Sequence, residues 1–125
     1  MSEIVKKILH VDDEPDISYV IEFLLTNGGF EVKTLDDSSL AVAELLNQDY
    51  AMVIIDLMMP KLNGFQLLEA IRKEDKLEKL PVLVLSSRQL VNDEIDFLNN
   101  LKAYIASKPF EPYRLLEKVR EIITS

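Results

Sequence analysis

The sequence predicts an α/β fold, a doubly wound (βα)5 three-layer sandwich around a five-stranded parallel sheet. Short apolar runs alternate five times with stretches of helical periodicity. The strongest runs are continuously apolar rather than alternating, which marks strands covered on both faces and hence a parallel sheet between helices. The length of 125 residues suits one compact domain with a sizeable core, so residues 1–125 are read as a single domain. Right-handed crossovers then wind the sheet in both directions from its first strand.

Each element follows from a local pattern. Ile8-Leu9-His10-Val11 reads as a buried strand that stops at Asp12. Ile17, Val20, Ile21, Leu24 and Leu25 then follow helical spacing, with Pro15 near the helix start, where a missing N–H costs little. Asn27-Gly28-Gly29 ends that helix. Phe30 to Leu35 is a second, half-exposed strand, and Ser38 or Ser39 is expected to cap a weaker helix through Leu45 and Leu46. Ala51 to Ile55 is the most apolar strand and closes at Asp56. Asn63 is expected to cap the next helix, with Leu67, Leu68 and Ile71 facing inward. Pro81 to Leu85 is a fourth strand closed by Ser86-Ser87, followed by a short helix carrying Val91, Ile95 and Leu98. Ala103 to Ser107 is a fifth strand closed by Lys108-Pro109. Leu115, Leu116, Val119, Ile122 and Ile123 make the last amphipathic helix. There is no linker, internal repeat or low-complexity segment.

Composition removes several kinds of function. Cysteine is absent, so no disulfide, thiolate nucleophile or cysteine zinc site can form. His10 is the only histidine, which removes histidine-rich metal sites and most Ser-His-Asp schemes. The net charge of −8 repels nucleic acid, so direct nucleic-acid binding by this chain is not expected. No apolar run approaches the ~20 residues of a membrane helix. The lysines at positions 6 and 7 are followed by too short an apolar stretch for a secretion signal, so a cytoplasmic location with no membrane partner is expected.

In an open α/β sheet the site lies at the carboxyl ends of the strands, near the switch in strand order. Those ends carry Asp12 and Asp13, Asp56, Ser86 and Ser87, and Lys108. An order of 2-1-3-4-5 gathers all of them at one rim. Carboxylates so placed repel one another unless a cation sits among them. Oxygen ligands without His or Cys point to a hard ion, Mg²⁺ or Mn²⁺. Asp56 then has the location of a carboxylate nucleophile able to form an acyl phosphate. Lys108 can neutralise phosphoryl oxygens, and Ser86 can donate a hydrogen bond to another. An aspartate-nucleophile phosphohydrolase is the enzymic rival, but Met58 stands where that chemistry places its second acid.

Together these residues resemble the receiver (response regulator, CheY-like) domain of two-component signal transduction, a flavodoxin-like fold. Val11-Asp12-Asp13-Glu14-Pro15 resembles that family's acidic pair. Asp56-Leu57-Met58-Met59-Pro60 with Asn63-Gly64 resembles its phosphoacceptor loop. Pro81 through Ser87 is similar to its fourth strand, and Lys108-Pro109-Phe110 to its lysine-proline motif. The resemblance spans the whole chain. It implies a phosphoacceptor switch in a phosphorelay rather than an enzyme with a separate substrate. Asp56 would be the acceptor, and Asp13, Asp56 and the Met58 backbone carbonyl would ligate Mg²⁺. Asp12 would act through water. Ser86 would be the switch hydroxyl, and Ser87 the small residue that leaves room for the phosphoryl group. The implied donor is a phosphohistidine on a sensor histidine kinase or a histidine phosphotransfer domain. The implied output is a downstream protein target or effector domain, the chain being either a stand-alone receiver or one cut from a longer protein. Met58 and Arg88 fall where the family tunes its dephosphorylation rate, Arg88 itself reading as a solvated helix-start residue.

Two departures stand out. The aromatic switch position falls on Ile105, which is stiff at χ1 and has no hydroxyl. Tyr104 lies one before it and faces the other side of the strand. The usual Gly-Ala-Asp-Asp before the fifth strand is Leu101-Lys102-Ala103-Tyr104. His10, in its apolar strand, is expected to be a packed, hydrogen-bonded core residue.

Overall fold

The computed structural model describes residues 5–108 and 110–124. Five βα units follow in order: β1 (Lys7–Val11), α1 (Pro15–Asn27), β2 (Glu31–Leu35), α2 (Ala41–Asn47), β3 (Met52–Asp56), α3 (Gly64–Arg72), β4 (Val82–Ser86), α4 (Asn92–Asn100), β5 (Ala103–Ser107) and α5 (Pro112–Thr124). The strands pair in parallel in the order β2-β1-β3-β4-β5. This is the predicted flavodoxin-like α/β sandwich. All five residues of β3 and all five of β4 are buried, which is why their sequences read as continuous apolar runs. The edge strands β2 and β5 are only partly covered.

Successive strand residues point to opposite faces, so the sheet feeds two cores. Leu9, Val11, Val53, Ile55, Val82 and Val84 meet Leu45 of α2, Leu67, Leu68 and Ile71 of α3, and Leu98 of α4. Ile8, Met52, Ile54, Leu83 and Leu85 meet Ile21 and Leu25 of α1 and Leu115, Leu116, Val119 and Ile122 of α5. Each fully buried side chain of this size stabilises the fold by ~1.5–3 kcal/mol over an exposed one.

Gly64 opens α3 where its backbone comes up against the backbone that follows β3. A Cβ there would stand 2.6 Å from the Leu57 Cα and 2.9 Å from the Asp56 carbonyl oxygen. Backbone cannot yield as a flexible side chain can, so glycine alone lets α3 press against the end of β3. At the opposite rim one side chain closes the sheet. The Arg72 guanidinium donates to the carbonyls of Leu77 at 2.9 Å and Leu80 at 2.8 Å ahead of β4. It also reaches the Leu101 carbonyl at 2.7 Å, ahead of β5.

Three local expectations are corrected. The turn before α2 is capped by Asp37 rather than Ser38 or Ser39: its carboxylate accepts from the Ser39 N–H at 3.0 Å and the Ser39 hydroxyl at 2.6 Å. Ser38 is instead buried, and its hydroxyl accepts from the Leu62 N–H at 3.3 Å. Val20 is 44% exposed although its spacing suits the inner face. The buried stripe of α1 runs through Ser18, Ile21 and Leu25, which leaves Val20 on its shoulder. Val91 is 62% exposed and precedes α4 instead of packing under it.

Candidate functional site

The end of β3 sets the centre of the site. Asp56 closes a fully buried strand with only 1% of its own surface exposed, and Asp12, one residue past β1, is equally buried. β1 and β3 are hydrogen-bonded neighbours, so the two carboxylates arrive side by side. Asp13 is half-buried beside them. One carboxylate oxygen from each of Asp12, Asp13 and Asp56 lies within 4.8 Å of the others. Local backbone fixes two of the three. The Glu14 N–H donates to Asp12 Oδ1 at 2.9 Å, and the Met58 N–H donates to Asp56 Oδ1 at 3.2 Å.

Lys108 enters from the end of β5 and places its Nζ 3.3 Å from Asp12 Oδ2, 3.4 Å from Asp56 Oδ2 and 3.6 Å from Glu14 Oε1. The fifth strand reaches this rim because the Lys108 N–H is held by the Ser86 carbonyl at 2.7 Å. Burial pushes the Asp12 and Asp56 carboxyls above the ordinary range, against the opposing pull of backbone N–H groups and Lys108. Burial alone would lower Lys108, but the Asp12 and Asp56 charges outweigh it and hold the ammonium above the usual lysine range. One lysine against three close carboxylates leaves an uncompensated negative charge. The all-oxygen donor set, with no imidazole or thiolate among its members, therefore fits a hard divalent cation.

Asp12, Asp13, Asp56 and Lys108 thus converge as the sequence anticipates, and Pro109 lies outside the described residues. Ser86 reaches the same rim, buried at 3% exposure. Its hydroxyl, however, donates to the Arg88 carbonyl at 2.6 Å and so faces its own loop. Ile105 pairs with Val84 and packs on the α4 side of the sheet. Tyr104 pairs with Leu83, whose side chain belongs to the opposite core, and is 42% exposed. The Met58 side chain is likewise exposed, at 52%.

Two expectations change. His10 is fully buried as foreseen, but neither ring nitrogen has a hydrogen-bond partner. Its Nε2 stands 3.7 Å from Asp12 Oδ2, beyond hydrogen-bond range. Burial, with help from Lys108, lowers its pKa to about 3, so the ring is neutral at physiological pH. Arg88 is not simply solvated: its guanidinium grips both Glu94 oxygens, at 2.9 and 2.6 Å. The signal for that pair was present, since Glu94 falls on the third residue of α4, where an acidic side chain folds back on the helix start.

Residues 8–120 match the response regulator receiver domain family. Response regulator Rre1 of Synechocystis is 34% identical over 118 residues, which cover 93% of this chain and 51% of that protein. Regulatory protein VanRc of Enterococcus gallinarum is 33% identical over 115 residues, 92% of this chain and 48% of that one. The chain therefore spans about half the length of the curated relatives it matches. Chemotaxis protein CheY4 of Vibrio cholerae superposes with a TM-score of 0.88 at 27% identity, covering 95% of this chain and 99% of the other. The receiver domain of sensor histidine kinase PA1611 from Pseudomonas aeruginosa gives a TM-score of 0.86 at 27% identity, covering 98% and 100%. That structure is described with a magnesium ion coordinated in its active-site cleft. Fold, family match and the acidic rim agree: the chain belongs to the response regulator receiver domains, the phosphoacceptor switches of two-component signalling.

Proposed function

We infer that Asp56 is the phosphoacceptor of this chain and that residues 1–125 act as one receiver domain in the cytoplasm. The observation that carries the reading is the placement of Asp56. It is a buried carboxylate at the end of the central strand, in one cluster with Asp12 and Asp13 and 3.4 Å from Lys108. Asp13, Asp56 and the Met58 carbonyl would hold Mg²⁺, or Mn²⁺, with Asp12 acting through water. When bound, the ion neutralises carboxylate charge and takes a phosphoryl oxygen as a ligand.

A carboxylate oxygen of Asp56 attacks the phosphorus of a phosphohistidine on a sensor kinase or a histidine phosphotransfer domain. An O–P bond forms as the P–N bond breaks, and the donor imidazole leaves with the electron pair. Lys108 shifts from Asp12 and Asp56 toward the phosphoryl oxygens, and Ser86 donates its hydroxyl to another. Water later hydrolyses the acyl phosphate to inorganic phosphate and restores Asp56. The chain catalyses only these two steps on itself. Its output passes to a downstream protein or effector domain, with Ser86 and Ile105 at the switch positions. One relative, RpaA of Synechocystis, is named as a DNA-binding regulator, and this chain covers 48% of its length. No nucleic-acid contact is proposed for residues 1–125, because a net charge of −8 opposes it.

The test is intact-mass analysis after incubation with acetyl phosphate, with and without Mg²⁺, beside Asp56→Asn. A single phosphoryl adduct that needs Mg²⁺ and is absent from the variant supports the reading. An adduct of the same yield on Asp56→Asn refutes it.

A further inference from the structure

The loop between β4 and α4 is tied at both ends. At its start the Ser86 hydroxyl donates to the Arg88 carbonyl at 2.6 Å and accepts from the Arg88 N–H at 3.3 Å. At its end Glu94 accepts from the Val91 N–H at 3.1 Å. The two ties meet in Arg88, whose guanidinium binds both Glu94 oxygens and reaches the Gln89 carbonyl at 3.3 Å. One residue therefore holds the hydroxyl with its backbone and the first turn of α4 with its side chain.

A hydroxyl has a single proton to give. While that proton is on the Arg88 carbonyl, it is not available to an oxygen on Asp56. Turning the hydroxyl toward the site leaves the Arg88 carbonyl without this partner and so favours movement of the loop. The guanidinium carries that movement into α4, whose hold on the core is slight: Leu98 is its only buried residue, and Ile95 is half-covered. Ile105, on the neighbouring strand, has no hydroxyl or ring with which to follow Ser86. The Arg88 hydrogen bonds keep Glu94 ionised down to a pKa of about 2, so the pair persists across the physiological range.

We propose that Arg88 and Glu94 are positioning residues for Ser86. Their ion pair holds the loop in the arrangement that turns the hydroxyl away from Asp56, and phosphorylation, by claiming the hydroxyl, releases the start of α4. This rests on the assignment of Asp56 and Ser86 given above. An exposed ion pair is worth little, which suits a latch that must open.

The test is titration of the ¹⁵N-labelled 125-residue chain with beryllofluoride in Mg²⁺, a phosphoryl analogue for carboxylates, followed by amide shifts. Arg88→Gln and Glu94→Gln each break the ion pair while leaving an oxygen at position 94 to receive the Val91 N–H. Both variants are expected to bind beryllofluoride roughly two- to five-fold more tightly. The shifts they transmit to Asn92–Asn100 should also shrink relative to those beside Asp56. Tightening is the informative sign, since a merely damaged loop binds more weakly. Unchanged affinity in both variants would overturn the proposal. So would weakening by Arg88→Gln alone, which would mean that the arginine contacts the phosphoryl group directly. If the wild-type chain binds Mg²⁺ yet takes up no beryllofluoride, the assignment of Asp56 fails first, and this proposal falls with it.

Discussion

The units β3–α3 and β4–α4 sit side by side and contain helices of equal length, nine residues each, yet they are built to different standards. α3 buries Gly64, Leu67, Leu68 and Ile71, and its start is closed by a complete capping box. Asn63 accepts from the Gln66 N–H, and Gln66 accepts from the Asn63 N–H, both at 2.9 Å. α4 buries only Leu98, and its start has half a box, because Val91 offers no side-chain acceptor to answer Glu94. Phe97 of α4 meets Phe65 of α3 edge to face at 5.9 Å but stays 36% exposed. The difference fits the function proposed above. In that reading the first unit carries Asp56 as the acceptor, whose carboxylate stays in place for in-line attack. The second carries Ser86, whose hydroxyl turns.

The largest test of this contrast is core truncation. Leu67→Ala removes a fully buried side chain from α3 and is expected to cost about 2–5 kcal/mol in urea unfolding. Ile95→Ala in half-covered α4 should cost about 1 kcal/mol, in proportion to the area it buries. Equal losses would show that α4 is held as firmly as α3.

A second test asks whether the fixed half extends to β1, beside β3. His10 has a native pKa of about 3 and an unfolded value of about 6.5. The unfolded chain therefore takes up the proton first, and stability falls as the pH drops below about 6.5. Without Mg²⁺, the wild-type chain is expected to lose about 1.4 kcal/mol more than His10→Leu between pH 7.5 and 5.5. Asp12 and Asp56 have raised values and act in the opposite sense, their contribution growing as the pH falls through those values. They are present in both proteins and cancel in the comparison to first order. Equal losses would mean that β1 opens readily enough for His10 to titrate in the native state.

The smallest effect concerns the caps. Asn63→Ala should cost about 1 kcal/mol, while Val91→Ala should change stability by less than about 0.5 kcal/mol. Thermal melts of the two variants decide it.

What could be read in the chain divides along physical lines. The parallel sheet and its core followed from apolar runs, because burial on two faces leaves a continuous trace in β3 and β4. The acidic rim followed from residues at strand ends, because parallel topology brings those ends together. Side-chain direction left no such trace. That Ser86 faces its own loop, that Asp37 rather than a serine caps the turn before α2, and that His10 lies just out of reach of Asp12 depend on the rotamer each side chain takes, which the pattern of residue types does not record. Val20 shows the same limit on a helix, since periodicity marks a face but not where the sheet stops covering it.

Arg72 has a mechanical consequence. By gathering the carbonyls ahead of β4 and β5, it pins both strands at the rim away from the site. The ends that present Ser86 and Lys108 are the far ends of two levers, tied to each other by the Lys108 N–H on the Ser86 carbonyl. A five-residue strand is about 16 Å long, so a tilt of roughly 5° about the pinned rim moves its far end by about 1.4 Å. That is half a hydrogen-bond length, enough to exchange one partner for another while the sheet stays paired.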